Sequence, residues 1–173
     1  MFPWTHAAVG YLFLVLVAVL LGRRLTRAEL LAVIVGTQLP DFVDKPLAWW
    51  FSILPSGRSL AHSLVVAVPL SVVVLAVAWY RSHPGVGLAF GFGYASHLLG
   101  DSYVAFYYWR PEEFTFLLWP LLPAYPYDDF VGFTDFFSRL TVTSELLVAF
   151  LVTVAVGVIF LIQFARAPWY TRR

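Results

Sequence analysis

The chain has 173 residues and a net charge of +1, with 61% hydrophobic but only 12% charged residues. Because a soluble domain carries about 25% charged residues, this composition excludes an ordinary soluble protein and indicates an integral membrane protein. There is no cysteine, which excludes disulfides and thiolate metal ligands.

Apolar stretches predict an all-α, polytopic integral membrane helix bundle with about five membrane segments. The second segment is short, because Thr26 and Glu29 form a capping-box pattern at its start and Pro40 is expected to end it. Paired tryptophans in residues 46–54 predict an interfacial helix, and residues 102–142 predict an aromatic interfacial cap with a short helix or re-entrant piece. No linker or repeat divides the chain, so we expect one transmembrane helical domain over residues 1–173. The predicted segments are residues 7–22, 27–39, 60–80, 86–101 and 144–165.

Basic residues are concentrated on one side of the predicted bundle. Seven arginines and one acidic residue fall on that side, against four basic and nine acidic residues on the other. Because Lys and Arg favour cytoplasmic loops, we expect the arginine-rich side to be cytoplasmic. The N-terminus is then expected on the outer side of the inner or plasma membrane, and the C-terminus in the cytoplasm. The seven arginines are Arg23, Arg24, Arg27, Arg81, Arg166, Arg172 and Arg173.

His97 and Asp101 are four residues apart in an apolar segment, which places them on one face of a helix. A histidine and a carboxylate at this spacing can bind one divalent cation, and ionisable groups inside a membrane usually have a function. The alternative is a buried His–Asp hydrogen bond that joins two helices. The predicted topology brings four more such residues to the same outer end and places His83 at the opposite end. The four are His6, Asp41, Asp44 and His62.

Imidazoles and carboxylates that face one pocket predict a zinc or two-metal hydrolytic site, where an activated water attacks an ester or phosphoester. Arg58 precedes His62 by four residues and would neutralise a phosphate there, or pair with a lipid phosphate at the interface. Taken singly, His6 has the simpler interpretation of an interfacial histidine, and Asp41 and Asp44 that of turn caps.

Five short motifs occur in order over residues 3–122: Thr5-His6-x3-Gly10, Leu39-Pro-Asp-x2-Asp44, Arg58-x3-His62-Ser63, Ser96-His97-x3-Asp101 and Leu117-Leu-Trp-Pro120. This ordered set resembles the YdjM-like family of membrane-bound, metal-dependent hydrolases. The His-x3-Asp element is also similar to one in zinc-dependent phospholipase C and P1-type nucleases. Two histidines of the family pattern are absent here, which leaves open a single metal or a site without catalytic competence. The resemblance implies that the metal ligands are His6, Asp41, Asp44, His62, His97 and Asp101.

We therefore expect a divalent-metal-dependent hydrolase of a small phosphorylated or ester substrate or of a membrane lipid, with no nucleic acid partner. Zinc is the expected metal, with manganese or magnesium as alternatives. Asp41 and Asp44 would be ligands or the general base, Arg58 would bind the substrate anion, and Ser63 would support the ligands. One alternative is a non-catalytic metal-binding protein or a cation or proton transporter, although aliphatic inner halves of the segments disfavour conduction. Another is a structural protein in which His–Asp pairs join the helices.

Overall fold

The computed structural model describes residues 2–125 and 133–170, and these residues form helices and connecting loops without β-strands. This confirms the predicted all-α class. The long helices are α1 (Pro3–Leu20), α2 (Arg27–Trp49), α3 (Leu64–Tyr80), α4 (Pro84–Tyr107) and α6 (Ser144–Arg166); the short ones are a 3₁₀ helix (Pro111–Leu118) and α5 (Phe133–Ser138).

Within the described ranges, two helices are long and apolar enough to cross a membrane, namely α1 and α6. The helix α3 is also apolar but has only 17 residues. A bundle of five membrane segments therefore stays a prediction.

The helix α2 is longer than the sequence predicted. It begins with the expected capping box, in which Thr26 and Glu29 bond to each other's backbone N–H groups. The prediction that it ends at Pro40 is wrong, since the helix continues through Pro40 and Pro46 to Trp49. A proline removes one helical hydrogen bond, and close packing of α2 against α4 stabilises the helix despite this loss. Residues 46–49 therefore end α2 instead of forming a separate interfacial helix.

Two glycines allow α2 and α4 to pack with their backbones almost in contact. A Cβ atom on Gly36 would collide with the carbonyl of Phe90, and one on Gly93 would collide with the carbonyl of Val33. Small residues at helix contacts permit such close approach in membrane proteins. Because α4 also packs against α1 and α3, it lies at the centre of the bundle.

The predicted cap contains the 3₁₀ helix and α5, while residues 126–132, like Arg172 and Arg173 of the C-terminal tail, lie outside the described residues. The 3₁₀ helix packs against α3 and α4 and buries Phe116 completely. The Ser63 hydroxyl donates a hydrogen bond to the Trp119 carbonyl and joins this cap to the start of α3. The cap therefore covers the end of the bundle at which α3 begins.

Candidate metal centre

Four ionisable side chains from three parts of the chain meet inside the bundle. Asp41 comes from α2, His62 from the loop before α3, and His97 and Asp101 from α4. One ligand atom of each lies within 4.8 Å of those of the other three, and all four residues are buried. This group is the candidate metal centre.

Both histidines direct the same ring nitrogen, Nε2, towards the middle of the group. Nδ1 of His97 lies 2.6 Å from the Thr37 carbonyl oxygen, and Nδ1 of His62 lies 2.8 Å from Oδ2 of Asp44. Since carbonyl and carboxylate oxygens only accept hydrogen bonds, each Nδ1 carries the hydrogen and donates it. When a ring is neutral, its Nε2 therefore carries a lone pair, and the two Nε2 atoms are only 3.1 Å apart.

Two carboxylate oxygens complete the group. Oδ1 of Asp41 lies 3.6 Å from His62 Nε2 and 3.8 Å from His97 Nε2, and Oδ2 of Asp101 lies 3.4 and 3.6 Å from the same atoms. Oδ1 of Asp41 is buried and makes no hydrogen bond with any described residue. Facing lone pairs repel unless a positive charge lies between them. Two imidazoles and two carboxylates fit the donor set that zinc and similar divalent cations take.

The proton affinity of His62, which lies in the loop outside the helices, reflects the same electrostatics. Burial opposes a charge on this ring, but the neighbouring carboxylates of Asp101, Asp41 and Asp44 outweigh that effect and raise the pKa of His62 to about 10. Without a metal, His62 therefore carries a second hydrogen, on Nε2, in the position that a cation would take. Carboxylates that stabilise an imidazolium in this way also favour the binding of a metal cation in the same place.

Two cationic side chains pair with the two carboxylates. Arg58 contacts Asp101 with Nε 3.1 Å from Oδ2 and Nη2 3.3 Å from Oδ1, and Lys45 places Nζ 2.7 Å from Oδ2 of Asp41. The Arg58 and Lys45 side chains remain 25% and 19% exposed, whereas those of Asp101 and Asp41 are only 3% and 6% exposed. The rim of the site is therefore positive and its interior negative.

Asp44 organises the loop that carries His62. Its carboxylate accepts hydrogen bonds from the backbone N–H groups of Ser59 (2.8 Å), Ala61 (2.8 Å) and His62 (3.2 Å), besides the ring of His62. The Tyr94 hydroxyl donates to the Ala61 carbonyl and holds the loop from α4. Asp44 thus positions His62, and none of these hydrogen bonds is directed towards the centre of the group.

His6 lies at the edge of the group. Its ring stacks on that of His97 with centroids 3.9 Å apart, and its Nε2 lies 3.1 Å from Oδ1 of Asp101. This buried Nε2 therefore pairs with Asp101 at the edge of the group, where the two atoms could bind a cation together. Ser63, in contrast, uses its hydroxyl to cap α3, where it accepts from the N–H of Val65. Every predicted site residue except Ser63 therefore makes a side-chain contact within the cluster.

Lys45, Tyr94 and the Thr37 carbonyl belong to the site but do not appear among the residues expected from the sequence. Lys45 is four residues after Asp41, a spacing typical of helical ion pairs. The expected helix end at Pro40 concealed that spacing. The sequence cannot indicate the role of the Thr37 carbonyl, because every residue type has a backbone carbonyl.

The fold and the cluster define an all-helical protein with apolar helices and a buried His/Asp group that could hold a metal ion. The model of the YdjM inner membrane protein family matches residues 1–170. The chain belongs to this family, which confirms the resemblance found in the sequence and supports a membrane location. No curated protein and no solved structure matches the chain. The similarity to phospholipase C and P1-type nucleases stays a prediction.

Proposed function

We propose that the protein is a membrane-embedded, divalent-metal-dependent hydrolase of a phosphoester or ester. The observation that carries the proposal is the 3.1 Å approach of two histidine Nε2 atoms beside two buried carboxylates. Without a metal, a protonated His62 would place a hydrogen at this position and join the helices by hydrogen bonds, and a bound divalent cation would take the place of that hydrogen. The donor set favours zinc, with manganese or magnesium as alternatives.

In this proposal the ligands are Asp41, His62, His97 and Asp101, and His6 adds a fifth ligand, a third nitrogen, at the edge. A divalent cation in this position supplies Lewis-acid chemistry, because it polarises an ester oxygen and lowers the pKa of water. Asp44 and the Thr37 carbonyl fix the ring orientations, as hydrogen-bond acceptors behind metal-binding histidines commonly do. Asp41, whose Oδ1 has no hydrogen-bond partner among the described residues, is also the candidate general base.

The charges around the site favour an anionic substrate. Histidines that bind a metal are neutral, so with the cation bound the local sum is three negative charges from Asp41, Asp44 and Asp101 against four positive charges from Lys45, Arg58 and the cation, or +1. Because Arg58 and Lys45 form the more exposed rim, a phosphate that approaches meets cations first. We therefore favour a phosphoester, in a small molecule or in a membrane lipid, and no nucleic acid.

A non-catalytic metal-binding protein is the second candidate. It is favoured by the burial of the group, since His62 and His97 are completely buried and Arg58 already pairs with Asp101. A substrate would have to displace this ion pair or approach past it.

We also propose the wider arrangement inferred from the sequence. Residues 1–173 form one transmembrane domain, the N-terminus and the metal centre face the outside, and the arginine-rich end faces the cytoplasm. The support is that seven of the eleven basic residues, all arginines, fall at the end of the predicted bundle opposite the cluster.

The test is metal analysis of the purified protein, together with hydrolysis of a phosphomonoester, a phosphodiester and a carboxylic ester in added zinc, manganese or magnesium. We expect one bound metal per chain and cleavage of a phosphoester. His97→Ala and Asp101→Ala should each abolish both metal binding and cleavage. The control is His83→Ala, which alters a histidine stacked on Tyr170 away from the cluster. Bound metal without cleavage of any ester would favour the second candidate, and absence of metal would reject both.

A further inference from the structure

A cavity of about 540 Å³ lies between α1 and α6, at the end of the bundle opposite the metal centre. Its size is in the range of small-molecule sites. The walls are aliphatic and one end is basic. Its lining includes Val15, Val19 and Ile159 on the walls and Arg23, Arg24 and Arg166 at the basic end.

The basic end of this cavity has spare positive charge. Arg23 pairs with Glu29 at 2.6 Å, but the side chains of Arg24 and Arg166 are exposed and make no hydrogen bond or ion pair with any other described residue. None of the described residues that line the cavity is acidic. Guanidinium groups bind phosphate in a bidentate manner, so the charge is complementary to a phosphate group.

Hydrogen bonds from α1 and α2 hold the last turns of α6 beside the cavity. Arg27 at the start of α2 donates to the carbonyls of Phe164 (2.8 Å) and Ala165 (2.7 Å). The Tyr11 hydroxyl on α1 donates to Oε1 of Gln163 at 2.6 Å. These bonds hold α6 to its neighbours, so the space between α1 and α6 is preformed.

The apolar part of the cavity has the length of a lipid chain segment. From Tyr11 to Val19 its lining follows α1 for eight residues, or about 12 Å at 1.5 Å per residue. One leaflet contributes about 15 Å of the hydrocarbon core of a bilayer. A lipid with its phosphate at the arginines would therefore keep its chain between α1 and α6 within its own leaflet.

We propose that this cavity binds an anionic phospholipid. The phosphate contacts Arg24 and Arg166, and one acyl chain packs against the aliphatic side chains of α1 and α6. Basic pockets between membrane helices bind anionic headgroups for the same electrostatic reason. The site is independent of the metal centre and needs no hydrolytic activity.

The test is native mass spectrometry of the detergent-purified protein, titrated with dioleoylphosphatidylglycerol or dioleoylphosphatidylcholine. We expect one molecule of phosphatidylglycerol to bind at least about tenfold more tightly than phosphatidylcholine, because two arginines contact its anionic headgroup. The double variant Arg24→Gln/Arg166→Gln should lose this preference. Val19→Trp should weaken binding without any change of charge, because the indole fills the apolar wall.

The matched control is Arg81→Gln. Arg81 is exposed at the end of α3, beside a turn that meets the Arg23 region, but it does not line the cavity. Equal binding of the two lipids would overturn the proposal, as would an equal loss in Arg81→Gln and in the double variant. Displacement of the lipid by glycerol phosphate at a similar concentration would also overturn it, since the site would then recognise free phosphate.

Discussion

Nε2 of His62 lies 3.1 Å from Nε2 of His97, although both rings already carry their hydrogen on Nδ1. Neither ring can turn away without breaking the bond of its Nδ1 to Asp44 or to the Thr37 carbonyl. The fold thus holds two Nε2 atoms together and places the carboxylates of Asp41 and Asp101 around them. A divalent cation between these atoms would take its ligands from all four side chains.

The first prediction concerns Asp44, which we expect to act through His62 instead of binding metal directly. Asp44→Asn removes the charge and places an amide N–H₂ group where backbone N–H groups of the loop need an acceptor. We expect zinc affinity to fall by about 10–100-fold, as for other residues that orient ligands, with one metal still bound at saturation. The free energy of unfolding should fall by about 1–3 kcal/mol for the unsatisfied buried groups.

A competition titration with a zinc chelator measures the affinity, and chemical denaturation measures the stability. The control is Asp135→Asn, which alters a carboxylate on α5 that pairs with the exposed Arg139. Unchanged zinc affinity in Asp44→Asn would contradict the positioning role. Complete loss of metal at saturating zinc would show that Asp44 is itself a ligand.

The second prediction concerns Arg58, which contributes charge and not a ligand atom. Arg58→Ala should retain the metal but lower kcat/KM for a phosphorylated substrate by a factor of roughly 30, the equivalent of about 2 kcal/mol of transition-state stabilisation. Cleavage of a neutral ester should change much less. The measurement is steady-state kinetics on both substrates, with Arg139→Ala as the control for removal of an exposed arginine. Equal effects on both substrates would mean that Arg58 serves only to pair with Asp101.

Helical spacing in the sequence identifies only those site residues that share one face of a helix. His97 and Asp101 are four apart in a continuous apolar segment, so their common orientation follows from helical geometry. The acceptors behind the rings could not be found in this way. Asp44 reaches His62 across a loop of 14 residues without regular helix, residues 50–63, whose course depends on backbone N–H groups of no particular sequence.

The prediction that Pro40 ends the second helix misplaced part of the site. Proline disfavours a helix interior, and the sequence therefore predicted a turn at Asp41 and Asp44. Packing against α4 maintained the helix and placed Asp41, Asp44 and Lys45 on its continuing turns. The ion pair of Lys45 with Asp41 follows from that continuation.

The third prediction concerns the contact of α2 with α4, on which the geometry of the cluster depends. Gly93→Ala places a methyl group against the carbonyl of Val33 and must separate the two helices. We expect it to destabilise the protein by about 1–3 kcal/mol and to weaken metal binding, because Asp41 and His97 lie on the two separated helices. Thermal unfolding and zinc titration measure the two effects.

Gly157→Ala is the matched control, since a Cβ atom at Gly157 in α6 would meet nothing within 4 Å. Alanine is the better helix former by about 0.5–1 kcal/mol, so this variant should be as stable as the parent or slightly more stable. A Gly93→Ala protein that matches Gly157→Ala in stability and zinc affinity would show that the helix contact is adaptable.

The last prediction is the orientation in the membrane. The natural chain has no cysteine, so a single introduced cysteine is the only thiol. Ser102 is a poor position for a label because it is buried and its hydroxyl bonds to the Leu98 carbonyl. Glu112 on the 3₁₀ helix and Ser82 after α3 are both exposed and mark the two ends of the bundle.

We expect a membrane-impermeant maleimide to label Glu112→Cys in intact cells and Ser82→Cys only after the membrane is opened. The reason is that the arginine-rich end, to which Ser82 belongs, should remain in the cytoplasm. The reverse pattern would invert the orientation, and labelling of both positions in intact cells would mean that no membrane lies between them. Because the cluster of Asp41, His62, His97 and Asp101 lies at the end capped by the 3₁₀ helix, the same labels show from which side a substrate reaches it.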